Sequence, residues 1–168
     1  SNIDLSVLPI FRQAILPNRS GSEPTGKGNR PMNDWSPARD AAAETGFTVV
    51  MLLYPGCTLL DLIGPHTVLA ALPGARVKLC WKTAGLIETD GGVAVEADCR
   101  LEDAPAAPAI LFVPGGAQGT AALLDDQAVL GWLRAVGEKS QWVTSVCSGS
   151  VLLAAAGLLR GYRATSHW

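Results

Sequence analysis

In Trp142-Val143-Thr144-Ser145-Val146-Cys147-Ser148-Gly149-Ser150-Val151-Leu152-Leu153, an apolar strand-like run (Trp142 to Val146) turns directly into an Ala/Leu-rich helical run that continues to Leu159. Cysteine stands at the junction. The side chain at such a turn is pushed outward, and the unpaired N–H groups and positive dipole end of a following helix favour a thiolate. The spacing also matches the small-x-nucleophile-x-Gly elbow, whose small flanking residues let the turn close. Two readings stand side by side on position alone: Cys147 is a nucleophile, or it is a small buried hydrophobe like most free cysteines.

Strand-like and helix-like segments alternate outward from this junction. Phe47 to Tyr54 is a continuous apolar run stopped by Pro55-Gly56, a helix is expected from Gly64 to Ala71, and a strand from Arg76 to Trp81. Leu86 to Glu88 and Val93 to Ala97 flank Thr89-Asp90-Gly91-Gly92, a hairpin signal. Ile110 to Val113 is a strand ending in Pro114-Gly115-Gly116. Ala121 to Leu124 and Gln127 to Lys139 supply helix, with Asp126 as N-cap, and Arg163 to Thr165 begins a further extended segment. This order predicts an α/β domain, a mostly parallel sheet flanked by helices, with its site beyond the carboxyl ends of the strands. Pro55 to Pro65, Pro114 to Gly119 and Cys147 all fall at that edge.

Residues 1–46 are of different composition. Pro17 to Asp40 is dense in Pro, Gly, Asn, Ser and charge and is expected to be disordered or extended, while Ser1 to Leu16 is apolar enough for a short helix. The domain is therefore placed at residues 47–168.

Composition narrows the function. A net charge of −2 with no basic stripe argues against nucleic acid or a membrane surface as partner, and no apolar run is long enough to span a bilayer. The N-terminus lacks the pattern of a secretory signal, so a cytoplasmic setting is expected. Cys57, Cys80, Cys99 and Cys147 form no C-x-x-C pair and no Cys/His cluster; no metal and no cofactor are expected, and the first three are read as packing residues.

Three groups could serve Cys147. Asp61, inside Leu59-Leu60-Asp61-Leu62-Ile63-Gly64-Pro65, is a carboxyl in apolar surroundings, which raise a carboxyl pKa; protonated it could donate to a thiolate, ionised it would raise the thiol pKa. The alternative is a helix N-cap. Gly115 and Gly116 could turn backbone N–H groups toward the sulfur as an oxyanion-type hole, or simply make a strand-end turn. The only histidines are His66, expected exposed or capping, and His167, placed near the rim of the site.

Leu60 to Pro65, Phe112 to Gly116, Ser145 to Ser150 and Gly161 to Trp168, in this order, resemble the ThiJ/PfpI superfamily of class I glutamine amidotransferase-like proteins, on its isonitrile hydratase branch. The resemblance implies a flavodoxin-like three-layer sandwich and a lyase that hydrates isonitriles to N-substituted formamides. It makes Cys147 the nucleophile, Asp61 the acid/base and Ser148 the residue after the nucleophile, where hydratases carry threonine; Ser148 keeps the hydroxyl and lacks the methyl. His167 matches a histidine that approaches the cysteine in some members. The resemblance further implies a homodimer and a chain incomplete at its C-terminus, so that activity need not survive. Two alternatives follow from the same motifs: the ligand-sensing half of an AraC-type regulator, and glyoxalase- or deglycase-like chemistry.

Overall fold

The computed structural model describes residues 15–17 and 46–167. In chain order the elements are β1 (Ile15–Pro17), β2 (Phe47–Leu52), α1 (Leu59–Ala70), β3 (Ala75–Trp81), β4 (Gly85–Glu88), β5 (Ala94–Ala97), β6 (Cys99–Arg100), a 3₁₀ turn (Leu101–Asp103), β7 (Ile110–Val113), α2 (Ala117–Leu123), α3 (Gln127–Gly137), β8 (Trp142–Ser145) and α4 (Gly149–Ala155). One sheet runs β1-β8-β7-β2-β3-β6, parallel throughout except for β1, which pairs antiparallel with β8 at one edge. The five parallel strands with their helices form the expected α/β fold. β4 and β5 form the predicted hairpin as a separate two-stranded sheet.

The continuous apolar strands lie where both faces of the sheet are covered. Val49 to Tyr54 and Leu111 to Val113 are fully buried, and Leu133, Leu152 and Leu153 close over them from α3 and α4. Burial of each such side chain is worth about 1.5–3 kcal/mol.

Two sequence expectations are corrected. Helix α1 begins at Leu59 rather than Gly64 and runs through Pro65. Leu62, Pro65 and Leu69 form its buried stripe at helical spacing, and this packing outweighs the backbone bond that proline cannot make to the Asp61 carbonyl. The turn at its start is secured from outside: Leu59 N–H donates to Asp90 Oδ1 at 3.3 Å, from the β4–β5 turn. Residues 163–167 form no strand. They run past the Cys147 turn, where Ser166 and His167 bond its carbonyl oxygen. The predicted extension over residues 1–46 and the helix over Ser1 to Leu16 lie outside the described residues, except that Ile15–Pro17 are strand and Gly46 is described. No described helix is long and apolar enough to cross a membrane.

Asp126 caps α3 as expected, accepting from Val129 N–H at 3.2 Å. Lys82 pairs with the same carboxyl, and that ion pair is the main cause holding the Asp126 pKa below the ordinary carboxylate value.

Close packing sets a testable contrast between glycines. A Cβ on Gly149 would stand 2.3 Å from the Val113 carbonyl oxygen and 2.7 Å from that of Pro114, whereas one on Gly131, exposed in α3, would meet nothing within 4 Å. In urea unfolding, Gly149→Ala is expected to lose about 1–3 kcal/mol. Gly131→Ala is expected to gain about 0.5–1 kcal/mol.

Candidate active site

The site assembles where β2, β7 and β8 end. Pro55 to Thr58 follows β2, Pro114 to Gly116 follows β7, and Val146 to Ser148 follows β8, so three parallel strands deliver their loops to one edge. Thr58 N–H donates to the Gly115 carbonyl at 2.8 Å, and Val146 N–H donates to that of Val113 at 3.2 Å. These bonds lock the loops together.

Cys147 sits at φ +50°, in the left-handed region, alone among the described non-glycine residues. That backbone costs about 1–3 kcal/mol and persists only where neighbours over-determine it. Here they do so through its carbonyl oxygen, which accepts from Ser150 Oγ at 3.4 Å, Ser166 Oγ at 3.3 Å and His167 N–H at 3.4 Å. His167 thus joins the site by its main chain, in an otherwise exposed residue. His66 lies within α1, on its partly buried side.

Gly115 explains how Asp61 reaches the thiol. A Cβ there would stand 2.7 Å from Asp61 Oδ2, 2.7 Å from Cys147 Cβ and 2.8 Å from Ser148 N, so all three crowd the space that a side chain would fill. Gly116 and Gly119 allow a second close approach, to the Gly56-Cys57 and Pro55-Gly56 backbone. The Pro-Gly-Gly-x-x-Gly run therefore serves contact between loops. Asp61 Oδ2 is buried without a hydrogen-bond partner. Such an orphaned oxygen costs about 1–3 kcal/mol, more if charged.

The thiol pKa departs from expectation. It is raised, chiefly by burial; the charge and side-chain contact of Asp61 raise it further, against the lowering effect of the Ser148 backbone N–H and hydroxyl. The helix start does not give the expected net activation, because burial and, after it, Asp61 outweigh the donors at the sulfur.

A chain of hydroxyls that sequence reading missed runs behind the elbow. The Tyr54 hydroxyl donates to the Pro114 carbonyl at 3.0 Å and lies 3.0 Å from Thr120 Oγ1, which lies 2.9 Å from Ser148 Oγ. Each hydroxyl has one proton. With Tyr54 committed to Pro114, Thr120 donates to Tyr54, which leaves the Ser148 proton for Thr120 or for the sulfur. Turned toward the sulfur, the Ser148 proton would lower the thiol pKa; committed to Thr120, it leaves the Ser148 N–H as the sulfur's donor. Ser148 Oγ also accepts from Gly116 N–H at 3.1 Å, so that candidate oxyanion donor is engaged by Ser148 in this state. A hydroxyl at the end of an apolar run (Tyr54) and one directly after Gly115-Gly116-x-x-Gly119 (Thr120) were the available signals.

Cys57 and Cys80 are fully buried, and burial pushes the Cys57 thiol up to about 11. Cys99 is half-buried. Among the described residues, no cluster of three or more His, Cys, Asp or Glu could hold a metal ion.

The DJ-1/PfpI family profile matches residues 47–168. Isonitrile hydratase from Pseudomonas putida is 42% identical over 127 residues, which cover 76% of this chain and 53% of that protein. The HTH-type transcriptional regulator CdhR from Pseudomonas aeruginosa is 36% identical over 84 residues, 50% of this chain and 24% of the regulator. A solved THiJ/PfpI family protein from Pseudomonas syringae superposes with a TM-score of 0.73 at 38% identity, covering 82% of this chain and 57% of that one. The chain thus spans about half the length of the isonitrile hydratase it matches.

Alkylation by iodoacetamide reads the thiolate directly. Its rate at Cys147 is expected to rise with pH through a midpoint above the ordinary thiol value, because burial and Asp61 both disfavour the anion. Asp61→Asn should lower that midpoint and speed alkylation at neutral pH. Thr120→Val, which frees the Ser148 proton to turn to the sulfur, should shift it in the same direction.

Proposed function

The chain belongs to the DJ-1/PfpI family, and on that footing we propose that its domain is an isonitrile hydratase, adding water to R–N≡C to give the formamide R–NH–CHO through Cys147 and Asp61. The observation that carries this reading is the meeting of Asp61 and Cys147 across a glycine with no room for a Cβ. An acid/base held against a nucleophile, with one oxygen left unpartnered, suits a reaction that must move a proton onto carbon and then activate water.

The raised thiol pKa sets the order of events. At rest the thiol keeps its proton, because burial and the neighbouring Asp61 both raise its pKa. As sulfur attacks the terminal isonitrile carbon, Asp61 takes the thiol proton and delivers it to that carbon, giving the thioimidate R–N=CH–S–Cys147. Asp61 is then a base again. It withdraws a proton from water as the oxygen adds to the thioimidate carbon and passes that proton to the nitrogen, and collapse of R–NH–CH(OH)–S–Cys147 to the formamide expels the sulfur, which takes up the hydroxyl proton. The Ser148 N–H supports negative charge on the departing sulfur. The Ser148 hydroxyl acts as a positioning group, holding the elbow to Gly116 and Thr120.

A second reading, a ligand-sensing domain, is favoured by the partial match to CdhR. Turnover separates the two. Purified protein incubated in parallel with an alkyl isonitrile and with methylglyoxal should release formamide from the first only. Cys147→Ala should abolish release with the fold intact by circular dichroism, and Asp61→Asn should cut kcat by about 10²–10⁴-fold although its thiol alkylates faster. Saturable isonitrile binding without formamide favours the sensor; loss of methylglyoxal favours glyoxalase-like chemistry.

A further inference from the structure

We propose that Cys80 and Cys99 form a second, redox-active site: a cross-strand dithiol that a hydroperoxide or a small disulfide oxidises to an intrachain disulfide. This inference does not depend on the hydratase reading, and no step of that mechanism uses either residue.

The two cysteines are direct partners in the β3–β6 ladder, Cys80 opposite Cys99 and Trp81 opposite Arg100. Their sulfurs lie 3.1 Å apart on the same face of the sheet, inside van der Waals contact and about 1 Å from bonding distance. The register is fixed next door. Asp98 N–H donates to the Leu79 carbonyl at 2.8 Å, and Leu79 N–H donates to Asp98 Oδ2 at 2.7 Å, which clamps the start of β6 onto β3.

Exposure divides the roles. Cys80 has no accessible surface, whereas Cys99 is half-buried on the two-residue edge strand, so an oxidant meets Cys99 first. The Cys99 sulfur attacks a peroxide oxygen, the O–O bond breaks, and Cys99 sulfenic acid and hydroxide form. The Cys80 sulfur then attacks the Cys99 sulfur, the S–S bond forms and a second hydroxide leaves. The two thiol protons neutralise the two hydroxides, so two thiols and one hydrogen peroxide give one disulfide and two waters, with sulfur oxidised by two electrons.

A disulfide ending on the half-buried edge-strand residue Cys99, rather than wholly in the core, is open to thiol–disulfide exchange, so the device is reversible.

Trypsin places the two cysteines on separate peptides, Leu79–Lys82 and Thr83–Arg100, because Lys82 stands between them. The native protein is treated with hydrogen peroxide or with diamide, unfolded, alkylated, digested without reductant and analysed by mass spectrometry. The expected product is the two peptides joined, lighter by two hydrogens than their sum, free of alkyl label and separated by dithiothreitol. It should form equally in Cys147→Ala and vanish in Cys99→Ser, with Cys80 then alkylated. The proposal is overturned if both peptides come out singly, alkylated or separately oxidised, at a diamide concentration that fully oxidises a small-molecule dithiol.

Discussion

Asp61 and Cys147 meet in a space that exists only because Gly115 has no side chain. The rest of the site answers to that constraint. Asp61 comes from the first turn of α1, Cys147 from the end of β8, and Gly115 from the end of β7; no two are close in sequence. Their meeting requires parallel strands that end together, and the sheet order β8-β7-β2 sets those three ends side by side.

The elbow carries the strain this arrangement demands. Left-handed backbone at Cys147 turns its side chain toward Asp61, three donors on the Cys147 carbonyl brace the turn from one side, and the Tyr54–Thr120–Ser148 hydroxyl chain braces it from the other. Binding energy in the fold is thereby used to hold a carboxyl against a thiol whose ionisation burial and that carboxyl both disfavour. In the proposed mechanism, reactivity comes from proton transfer between them during attack, in place of a standing thiolate.

Much of this was legible from residue order. The apolar strands at Phe47 to Tyr54 and Ile110 to Val113, the hairpin around Thr89 to Gly92 and the strand–Cys–helix junction have local signatures that tertiary packing did not change. The start of α1 did not, because Gly64-Pro65 reads as a break while the stripe Leu62, Pro65 and Leu69 gains enough from burial to carry the helix through. Nor did the strand over Arg163 to Thr165, since ladder formation depends on a neighbour that sequence does not name. Motif order placed Asp61, Gly115, Gly116, Ser148 and Cys147 at one edge. It could not give the role of Tyr54 and Thr120, which rests on hydroxyl distances across 28 and 66 residues of sequence separation, nor the direction of the thiol shift, which depends on how far burial outweighs the donors at the sulfur.

Where the resting proton sits is the central claim, and infrared spectroscopy observes it. The neutral-pH difference spectrum between the native protein and Cys147→Ala should contain an S–H stretching band from Cys147 that disappears on alkylation. A difference spectrum with no S–H band, with Cys147 accessible to reagent, would place a standing thiolate beside a protonated Asp61 and contradict the account.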